Sequence, residues 1–251
     1  MDLDKPTSVV LDGDLLVFRA AYWADKEGID ELEGRLQNDI KMWTPPGCTT
    51  ICVALSCSSR NNFRRKFWPF YKETRKKQEK PACLYDAYGI LQEIPGICIY
   101  KESILEADDI IGIEASSGRS IGVSLDKDLL STPGWHWNPS KQKAPEFITE
   151  DKANETFVKQ WITGDSTDNV WGLWKVGPKK AEIITQGINY DEMVKKVWQL
   201  YLEEDWTKRP QERIPEGNKE DFALAQARSV RILRTGDFNK ETKEIKLWSP
   251  Q

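Results

Sequence analysis

Histidine is almost absent from this chain, and its scarcity excludes several classes of chemistry. The 251 residues contain one histidine, His136. A zinc site built on imidazoles needs several histidines, and a histidine general base must lie beside its substrate or nucleophile. His136 lies in the segment TPGWHWNPS, where proline and tryptophan favour a loop. The sequence therefore argues against histidine-based zinc sites and against histidine as the catalytic base.

Paired cysteines and long apolar runs are missing as well. An odd number of cysteines without a CxxC pair is typical of a reduced intracellular protein rather than of a disulfide framework. The five cysteines are Cys48, Cys52, Cys57, Cys83 and Cys98. Apolar runs such as SVVL and ICVAL are far shorter than the roughly 20 residues that a membrane helix needs. The N-terminus is acidic and polar, unlike a secretory signal. We therefore expect a cytoplasmic protein.

A uniformly basic surface is lacking too, but positive charge is concentrated in one segment. The formal net charge is −4. Between Arg60 and Lys80 there are nine cationic and two acidic residues, a net charge of +7, so the rest of the chain carries −11. Within this segment, the stretch 63–77 interleaves cations with aromatic rings. Cations neutralise phosphates and rings stack on unpaired bases, a combination that suits single-stranded or frayed nucleic acid.

An amphipathic helix with its rings in the core is the alternative interpretation of this basic segment. On composition alone, we expect Phe67 and Phe70 to pack in the core. For Tyr71, Lys72 and Arg75 we expect contact with DNA instead.

Short apolar runs predict the fold. The runs 8–11, 50–55, 96–100 and 120–125 are rich in valine and isoleucine and are continuous rather than alternating. This pattern is typical of parallel strands that are covered on both faces. Helices are predicted at 86–93, 104–115, 150–163, 179–185, 190–203 and 219–233, with Thr149 as an N-cap. We therefore expect an α/β fold, a mostly parallel sheet covered by helices, followed by a helical C-terminal region.

Acidic residues follow several of the predicted strands. Functional groups in open α/β sheets gather beyond the carboxyl ends of the strands. Four groups of acids could meet at that edge: Asp12 with Asp14, Glu106 with Asp108 and Asp109, Asp126 with Asp128, and Asp165 with Asp168. Converging carboxylates repel one another unless protons or cations neutralise them. Hard oxygen ligands favour Mg²⁺ or Mn²⁺, and two such ions can clamp a phosphodiester.

Each acidic group taken singly has a structural alternative. An aspartate at the end of a strand is often a turn former or a helix cap. The group that begins at Glu106 can equally cap the N-terminus of a helix. For Asp165 and Asp168, in the polar stretch TGDSTDN, a turn is the favoured interpretation when they are considered alone. The combination of the four groups, rather than any one of them, indicates a metal centre.

Six motifs in a fixed order resemble the 5′-nuclease (flap endonuclease) superfamily, over about residues 9 to 181. This superfamily includes the 5′-nuclease domain of bacterial DNA polymerase I and the 5′-3′ exonucleases of tailed phages. The motifs are VVLDGD, followed seven residues after Asp12 by Arg19; FRxxxxxxYKxxR from Phe63; EADDIIG from Glu106; LDKDL from Leu125; GDSTDN from Gly164; and VGPKKA from Val176.

The resemblance implies a set of metal ligands and a division of the chain. Asp12, Glu106, Asp108, Asp109 and Asp126 would hold or support one Mg²⁺ ion, and Asp128, Asp165 and Asp168 would serve a second, with Mn²⁺ as a substitute. A metal-dependent nuclease domain would span 1–168, including a helical arch at about 60–80. A helical DNA-binding region with a helix–three-turn–helix element would span 169–251.

The resemblance also implies contacts with DNA. Arg64, Lys72 and Arg75 would be catalytic residues at the arch or its base, where Lys72 would position the scissile phosphate. Arg19 and Tyr71 would bind DNA. In the helix–three-turn–helix element, backbone amides near Gly177 would bind a duplex phosphate, with a possible K⁺ ion. Lys179 and Lys180 would add positive charge there, although an ordinary exposed helix start is the alternative.

The function implied is that of a two-metal-ion 5′-3′ exonuclease or flap endonuclease, a Mg²⁺-dependent deoxyribonuclease. Its substrates would be DNA with 5′ ends, nicks or flaps, and an RNA–DNA hybrid if it removes primers. Because the chain stops at Gln251, without room for a polymerase, we expect a free-standing phage nuclease in the cytoplasm of an infected bacterial host. A monomer that works with replication proteins is the expected state.

One position departs from the family pattern. Six residues before Phe63, where the family usually has an aspartate, this chain has Cys57. A neutral thiol is a poor ligand for Mg²⁺. The first metal site could therefore be weakened, or supported by another carboxylate such as Asp14. The alternative function is that of a catalytically weakened, structure-specific DNA-binding protein.

Overall fold

The computed structural model describes residues 5–77 and 79–250 of the chain. They form two compact units. The first unit consists of residues 5–62, 79–148 and 232–238, and the second of residues 63–77, 149–231 and 239–250. No helix in the described part of the chain has the length and apolar character needed to cross a membrane.

A six-stranded sheet forms the centre of the first unit. The strands are β1 (Ser8–Asp12), β2 (Thr50–Leu55), β3 (Ile97–Lys101), β4 (Ile121–Val123), β5 (Gly134–Trp137) and β6 (Glu146–Ile148). Their order across the sheet is β3-β2-β1-β4-β5-β6. All neighbouring pairs are parallel except β5 and β6, which are antiparallel. The prediction of a mostly parallel α/β sheet is confirmed.

Helices cover both faces of this sheet. They are α1 (Gly13–Glu27), α2 (Leu32–Met42), α3 (Leu84–Glu93) and α4 (Ala107–Ser116). The first three share an apolar core with alternate residues of β1, β2 and β4, such as Leu11 and Val53. Helix α4 packs on the strands as well, and a Cβ atom at Gly122 of β4 would overlap Ile111 of α4. Because these strands are buried on two faces, their sequences are continuous runs of apolar residues.

Glycine at position 13 lets α1 begin directly beside β2. A Cβ atom there would lie 2.5 Å from Val53 Cγ1 and 2.7 Å from the carbonyl oxygen of Ala54. Both distances are shorter than any van der Waals contact, so a larger residue would push α1 away from the sheet. The close approach fixes the direction in which Asp12, the N-cap of α1, presents its carboxylate.

The second unit is helical. It contains α5 (Glu150–Thr163), α6 (Pro178–Thr185), α7 (Tyr190–Glu203) and α8 (Lys219–Val230). Trp161 of α5 is fully buried and stacks on Tyr201 of α7, with ring centroids 5.4 Å apart. Because its apolar face packs against α7 and α8, α5 belongs to this unit. Residues 63–77 and 149–168, which the sequence analysis assigned to the nuclease domain, therefore lie in the second unit.

The basic segment contributes 3₁₀ turns rather than a long helix. The chain forms 3₁₀ helices at Phe63–Lys66 and Glu73–Lys77, and residue 78 of the expected arch lies outside the described residues. Pro69, between the two turns, has no backbone N–H to donate, and Lys72 adopts a left-handed backbone with φ of 55°. These two residues prevent a continuous α-helix within the described part of the expected arch.

The sequence analysis missed β5, β6 and the first two helices, and it placed His136 in a loop. His136 lies in β5 and is 3% exposed. Its Nε2 lies 3.0 Å from the Thr132 carbonyl oxygen, which can accept a hydrogen bond from it. The strands β5 and β6 have four and three residues, too short to produce an apolar run.

Candidate active site

The carboxyl ends of β1 and β4 bring two of the predicted acids to one edge of the sheet. The two strands are neighbours, with Leu11 paired to Val123. Ser124 Oγ donates to Asp12 Oδ2 at 2.7 Å, and the backbone N–H of Asp126 donates to Ser124 Oγ at 3.1 Å. The order of strands along the chain reverses between β1 and β4. Open α/β sheets bind their ligands at this kind of switch point.

Asp12 is a buried carboxylate with like charges nearby. Its exposed fraction is 8%. Burial and the charge of Asp14 raise the pKa of Asp12 to about 6, and Asp126 acts in the same direction, whereas hydrogen bonds from Ser124 and from the Leu15 backbone lower it. The negative charge at this edge is therefore unfavourable as it stands, and a bound cation would stabilise it.

Asp14 uses both of its carboxylate oxygens inside the first unit. The backbone N–H of Ser56, just after β2, donates to Oδ2 at 3.1 Å. The hydroxyl of Tyr88, in α3, donates to Oδ1 at 2.8 Å. Burial and the charge of Asp14 raise the pKa of Tyr88, so this hydroxyl keeps its proton. These contacts give Asp14 a structural role, because they link the end of β2 to α3.

The acids at the start of α4 differ in their surroundings. Asp109 is fully buried, and its oxygens accept from the backbone N–H of Glu106 at 3.1 Å and of Leu233 at 3.2 Å. Glu106 is the N-cap residue of α4 and is 8% exposed, and Asp108 is half-buried. Asp109 therefore supports the first turn of α4, as the capping interpretation predicted.

The acids after β4 form a short turn. Asp126 is exposed, and its Oδ1 accepts from the backbone N–H of Asp128 at 2.9 Å, which caps the 3₁₀ helix Lys127–Ser131. Asp128 is half-buried in this helix. Of the eight predicted metal ligands, Asp12, Glu106, Asp108, Asp109, Asp126 and Asp128 all belong to the first unit.

The other two predicted metal ligands belong to the second unit. Asp165 Oδ1 accepts from the backbone N–H of Thr167 at 2.7 Å, the contact expected of a turn former. Asp168 has cationic partners. Arg75 Nη2 donates to Asp168 Oδ1 at 2.6 Å, and Lys72 Nζ lies 3.4 Å from Asp168 Oδ2. Asp168 therefore anchors the basic segment to the turn that follows α5.

Two residues of the basic segment are buried, although Tyr71 is expected to contact DNA and Arg64 to be a catalytic residue of the arch or its base. Tyr71 is 3% exposed, and its hydroxyl donates to Asp168. Arg64 is 2% exposed, and it donates to the carbonyl oxygens of Ser229 at 3.0 Å and of Arg231 at 2.7 Å. These carbonyls end α8, where the helix leaves acceptors without partners in the helix itself. Arg64 therefore caps α8.

The remaining predicted DNA contacts lie at the surface or near it. Gly177 is the N-cap of α6, and Lys179 and Lys180 are exposed in its first turn. A helix N-terminus with two lysines attracts anions. Arg19 Nε lies 3.4 Å from Asp39 Oδ2, and its guanidinium packs over the ring of Trp43.

The acidic edge of the first unit has the donor chemistry that a divalent cation needs. Its side chains offer carboxylate oxygens, the preferred ligands of Mg²⁺. The mutual repulsion at Asp12 also favours a cation. Within residues 5–77 and 79–250, however, no group of three or more carboxylate, imidazole or thiol side chains is arranged as a metal site. Several of these carboxylates are instead engaged with backbone and hydroxyl donors.

Comparison with known proteins identifies relatives over nearly the whole chain. No protein-family model matches the chain. The exonuclease of Escherichia phage T7 is 27% identical over an alignment that covers 98% of this chain and 95% of the relative. The exodeoxyribonuclease of Enterobacteria phage T3 is 26% identical, with coverage of 99% and 94%. The names of these relatives support the resemblance to the 5′-nuclease superfamily.

A solved structure of this superfamily has the same fold. The T5 5′-exonuclease with bound zinc superimposes with a TM-score of 0.62 and 19% sequence identity, covering 89% of each chain. At this level of identity the likeness supports the fold alone. The order of the six motifs, and not any single one, carries the resemblance to the superfamily.

Cys57 stands where the superfamily usually has an aspartate, and it lies beside the acidic group of α4. The backbone N–H of Cys57 donates to the carbonyl oxygen of Leu105 at 2.8 Å, and Ser56 Oγ accepts from the backbone N–H of Ala107 at 2.9 Å. These two bonds flank Glu106. The backbone of Cys57 therefore lies beside the start of α4, where its thiol adds no hard oxygen ligand.

The sequence analysis did not identify Ser124, which links Asp12 to Asp126. Serine directly after a buried strand, in IGVSLD, is the only local signal for it. A hydroxyl can accept from a backbone N–H while donating to a carboxylate. Ser124 thus joins the carboxylate of Asp12 to the backbone of Asp126, while the two acids still repel one another.

Proposed function

We propose that this protein is a metal-dependent 5′-3′ exonuclease and flap endonuclease that hydrolyses DNA at 5′ ends, nicks or flaps. The observation that carries the proposal is the pair Asp12 and Asp126 at the switch point of the sheet, joined through Ser124. The exonuclease names of the phage T7 and T3 relatives, which match almost the full chain, support it.

The first unit supplies the proposed metal ligands. Asp12, Glu106, Asp108 and Asp126 would hold a Mg²⁺ ion, while Asp109 supports the first turn of α4. A bound divalent ion would stabilise charge on the phosphate and lower the pKa of an attacking water. Assignment of a second ion to Asp128, Asp165 and Asp168 stays a prediction, as does K⁺ near Gly177.

The chain's cations would bind the phosphates of the substrate. Lys72 and Arg75 carry positive charge beside Asp168, which holds their side chains in place. Lys179 and Lys180, at the N-terminus of α6, would bind a phosphate of the duplex. Each cation releases counterions when it neutralises a phosphate, so binding should weaken steeply as salt concentration rises.

Cleavage of defined substrates tests the proposal. The full chain is incubated with end-labelled 5′-flap, nicked and blunt duplexes in Mg²⁺, Mn²⁺ or EDTA. We expect 5′-phosphorylated products with Mg²⁺ and none with EDTA. Replacing Asp126 by asparagine should lower the rate by at least about a hundredfold. The matched control is Asp151→Asn, an exposed acid in the first turn of α5. Intact substrates at every Mg²⁺ and Mn²⁺ concentration would refute the proposal.

Cys57 favours a second candidate function. With a thiol near Glu106 instead of a carboxylate, the protein could bind branched DNA while cleaving it slowly.

The product pattern on a flap also decides between exonuclease and endonuclease action. An RNA–DNA hybrid in the same assay tests the proposed removal of primers, and gel filtration tests the proposed monomer.

A further inference from the structure

Phe70 presents an aromatic ring at the surface of the second unit. Its exposed fraction is 41%, although the sequence analysis expected it in the core. The ring stacks on that of Trp171, with centroids 5.5 Å apart and an angle of 25° between the planes. Trp68 packs edge-on against both rings, at 5.2 Å and 4.8 Å. A stacked aromatic pair is thus held in place from one side while part of Phe70 faces solvent.

Asn169 fixes the two rings relative to each other. Its Nδ2 donates to the carbonyl oxygen of Phe70 at 3.0 Å, and its Oδ1 accepts from Trp171 Nε1 at 3.2 Å. The backbone N–H of Trp171 donates to Gln226 Oε1 at 2.7 Å. A surface that is ordered before a ligand arrives loses little conformational entropy on binding. The pair is therefore preorganised to accept a flat partner.

Cations flank Phe70 on both sides along the chain. Arg65 Nη1 lies 3.5 Å from the carbonyl oxygen of Pro69. Lys72 and Arg75 follow, and both contact Asp168, the neighbour of Asn169. The backbone N–H of Lys72 also donates to the Asp168 carbonyl oxygen at 2.8 Å. One short stretch of the second unit therefore presents a ring and several positive charges together.

We propose that the Phe70–Trp171 pair stacks on an unpaired base of the 5′ strand. The cations Arg65, Lys72 and Arg75 would bind the phosphates on either side of that base. A base has a flat π face and a phosphate on each side, which matches a ring between cations. Since every base has such a face, the site would tolerate any sequence. The inference rests on the proposed function, because it assumes a substrate with a single-stranded 5′ segment.

The alternative is that the stacked rings only stabilise the second unit. Two variants separate the alternatives. Phe70→Leu keeps apolar volume but removes the π face, and Phe70→Tyr keeps the π face. The matched control is Phe147→Leu, which replaces a ring that is 40% exposed and packs edge-on against Trp135 in the first unit.

The experiment uses 5′-flap DNA with 2-aminopurine at successive flap positions, bound to the full chain in EDTA so that no cleavage occurs. Stacking quenches the fluorescence of this base. We expect strong quenching at one or two flap positions with the wild type and with Phe70→Tyr. For Phe70→Leu we expect loss of that quenching and about five- to hundredfold weaker binding by anisotropy. Phe147→Leu should match the wild type.

Two outcomes would overturn the inference. One is equal quenching and affinity for Phe70→Leu and the wild type. The other is an equal loss for Phe70→Leu and Phe70→Tyr, which would indicate packing rather than stacking on a base. The proposed function can fail independently of this inference. If the wild type binds the flap and quenches its fluorescence but never cleaves it with Mg²⁺, the stacking site is supported and the nuclease activity is refuted.

Discussion

The hydroxyl of Tyr71 donates a hydrogen bond to Asp168 Oδ2 at 3.0 Å, and this bond joins the basic segment to the turn after α5. Composition had predicted contact with DNA for Tyr71, and the family resemblance had predicted metal binding for Asp168. In the structure they are partners. Tyr71 is buried among apolar side chains of the second unit, where a hydroxyl needs an acceptor, and the ionised carboxylate provides one.

Removing the Tyr71 hydroxyl should destabilise the second unit. We expect Tyr71→Phe to lower the free energy of unfolding by about 1–2 kcal/mol, because a buried hydrogen bond to a charged acceptor is lost. Urea denaturation measures the change. Tyr85→Phe, at a position 75% exposed, is the control and should change stability by less than about 0.5 kcal/mol. Equal stability of the two variants would contradict the role given to this bond.

Replacing Asp12 by a neutral residue should lower the activity without lowering the stability of the protein. Burial and repulsion raise the pKa of Asp12 above its unfolded value, so its ionised form destabilises the folded protein at neutral pH. In EDTA at pH 8, Asp12→Asn should therefore unfold at the same or a higher urea concentration than the wild type. With Mg²⁺ it should cleave at least about a hundredfold more slowly.

Thermal melting supplies a second measurement for Asp12. A ligand that binds only the folded state raises the Tm. Mg²⁺ should raise the Tm of the wild type and not that of Asp12→Asn. A variant that is less stable in EDTA yet cleaves normally would show that Asp12 only caps α1.

Restoring a carboxylate at position 57 should increase activity. Cys57 lies beside Glu106, so Cys57→Asp would add a hard oxygen ligand to the proposed site. We expect kcat/KM on a flap substrate to rise by at least about tenfold at low Mg²⁺, which corresponds to about 1.4 kcal/mol. Cys57→Ser, which adds no charge, is the control. An unchanged rate for Cys57→Asp would remove the reason to regard the present chain as weakened.

Gly164 should not tolerate a side chain. Its φ is 66°, and a Cβ atom would overlap the carbonyl oxygen of Val170 in the turn that carries Asp165 and Asp168. We expect Gly164→Ala to cost at least about 3 kcal/mol of stability, from backbone strain plus overlap. Gly187 has φ of 73°, and no atom lies within 4 Å of the position that a methyl group would take there, so Gly187→Ala should cost only about 1 kcal/mol. Similar losses would argue against the overlap.

Protonation of His136 should destabilise the first unit in acid. Burial lowers the pKa of His136 from 6.5 to about 4. The folded state then binds fewer protons than the unfolded state between these values, so stability should fall by up to about 3 kcal/mol as pH decreases from 6.5 to 4. Urea denaturation of wild type and His136→Gln across this range isolates the contribution. Because His136 is the only histidine, one imidazole NMR signal reports its pKa directly.

Local patterns in the sequence determined the main elements of the fold. Continuous runs of valine and isoleucine located β1 to β4, since burial on two faces leaves no polar alternation. The helices α5 and α7 were predicted with the bounds that the structure shows, because their capping residues and their apolar spacing are local signals. The spacing of acids and cations in six motifs predicted the superfamily.

Tertiary structure decided which side of each element is buried, and that changed several roles. Phe70 and Tyr71 are adjacent, yet the first is at the surface and the second in the core, contrary to expectation. Arg64 caps α8 through carbonyls more than 160 residues away in the chain. The structural contacts of Asp14 and Asp109 likewise depend on partners that are distant in sequence, the hydroxyl of Tyr88 and the backbone N–H of Leu233. Composition and spacing specify which chemistry is present, whereas burial and hydrogen-bond partners are properties of the packed chain alone.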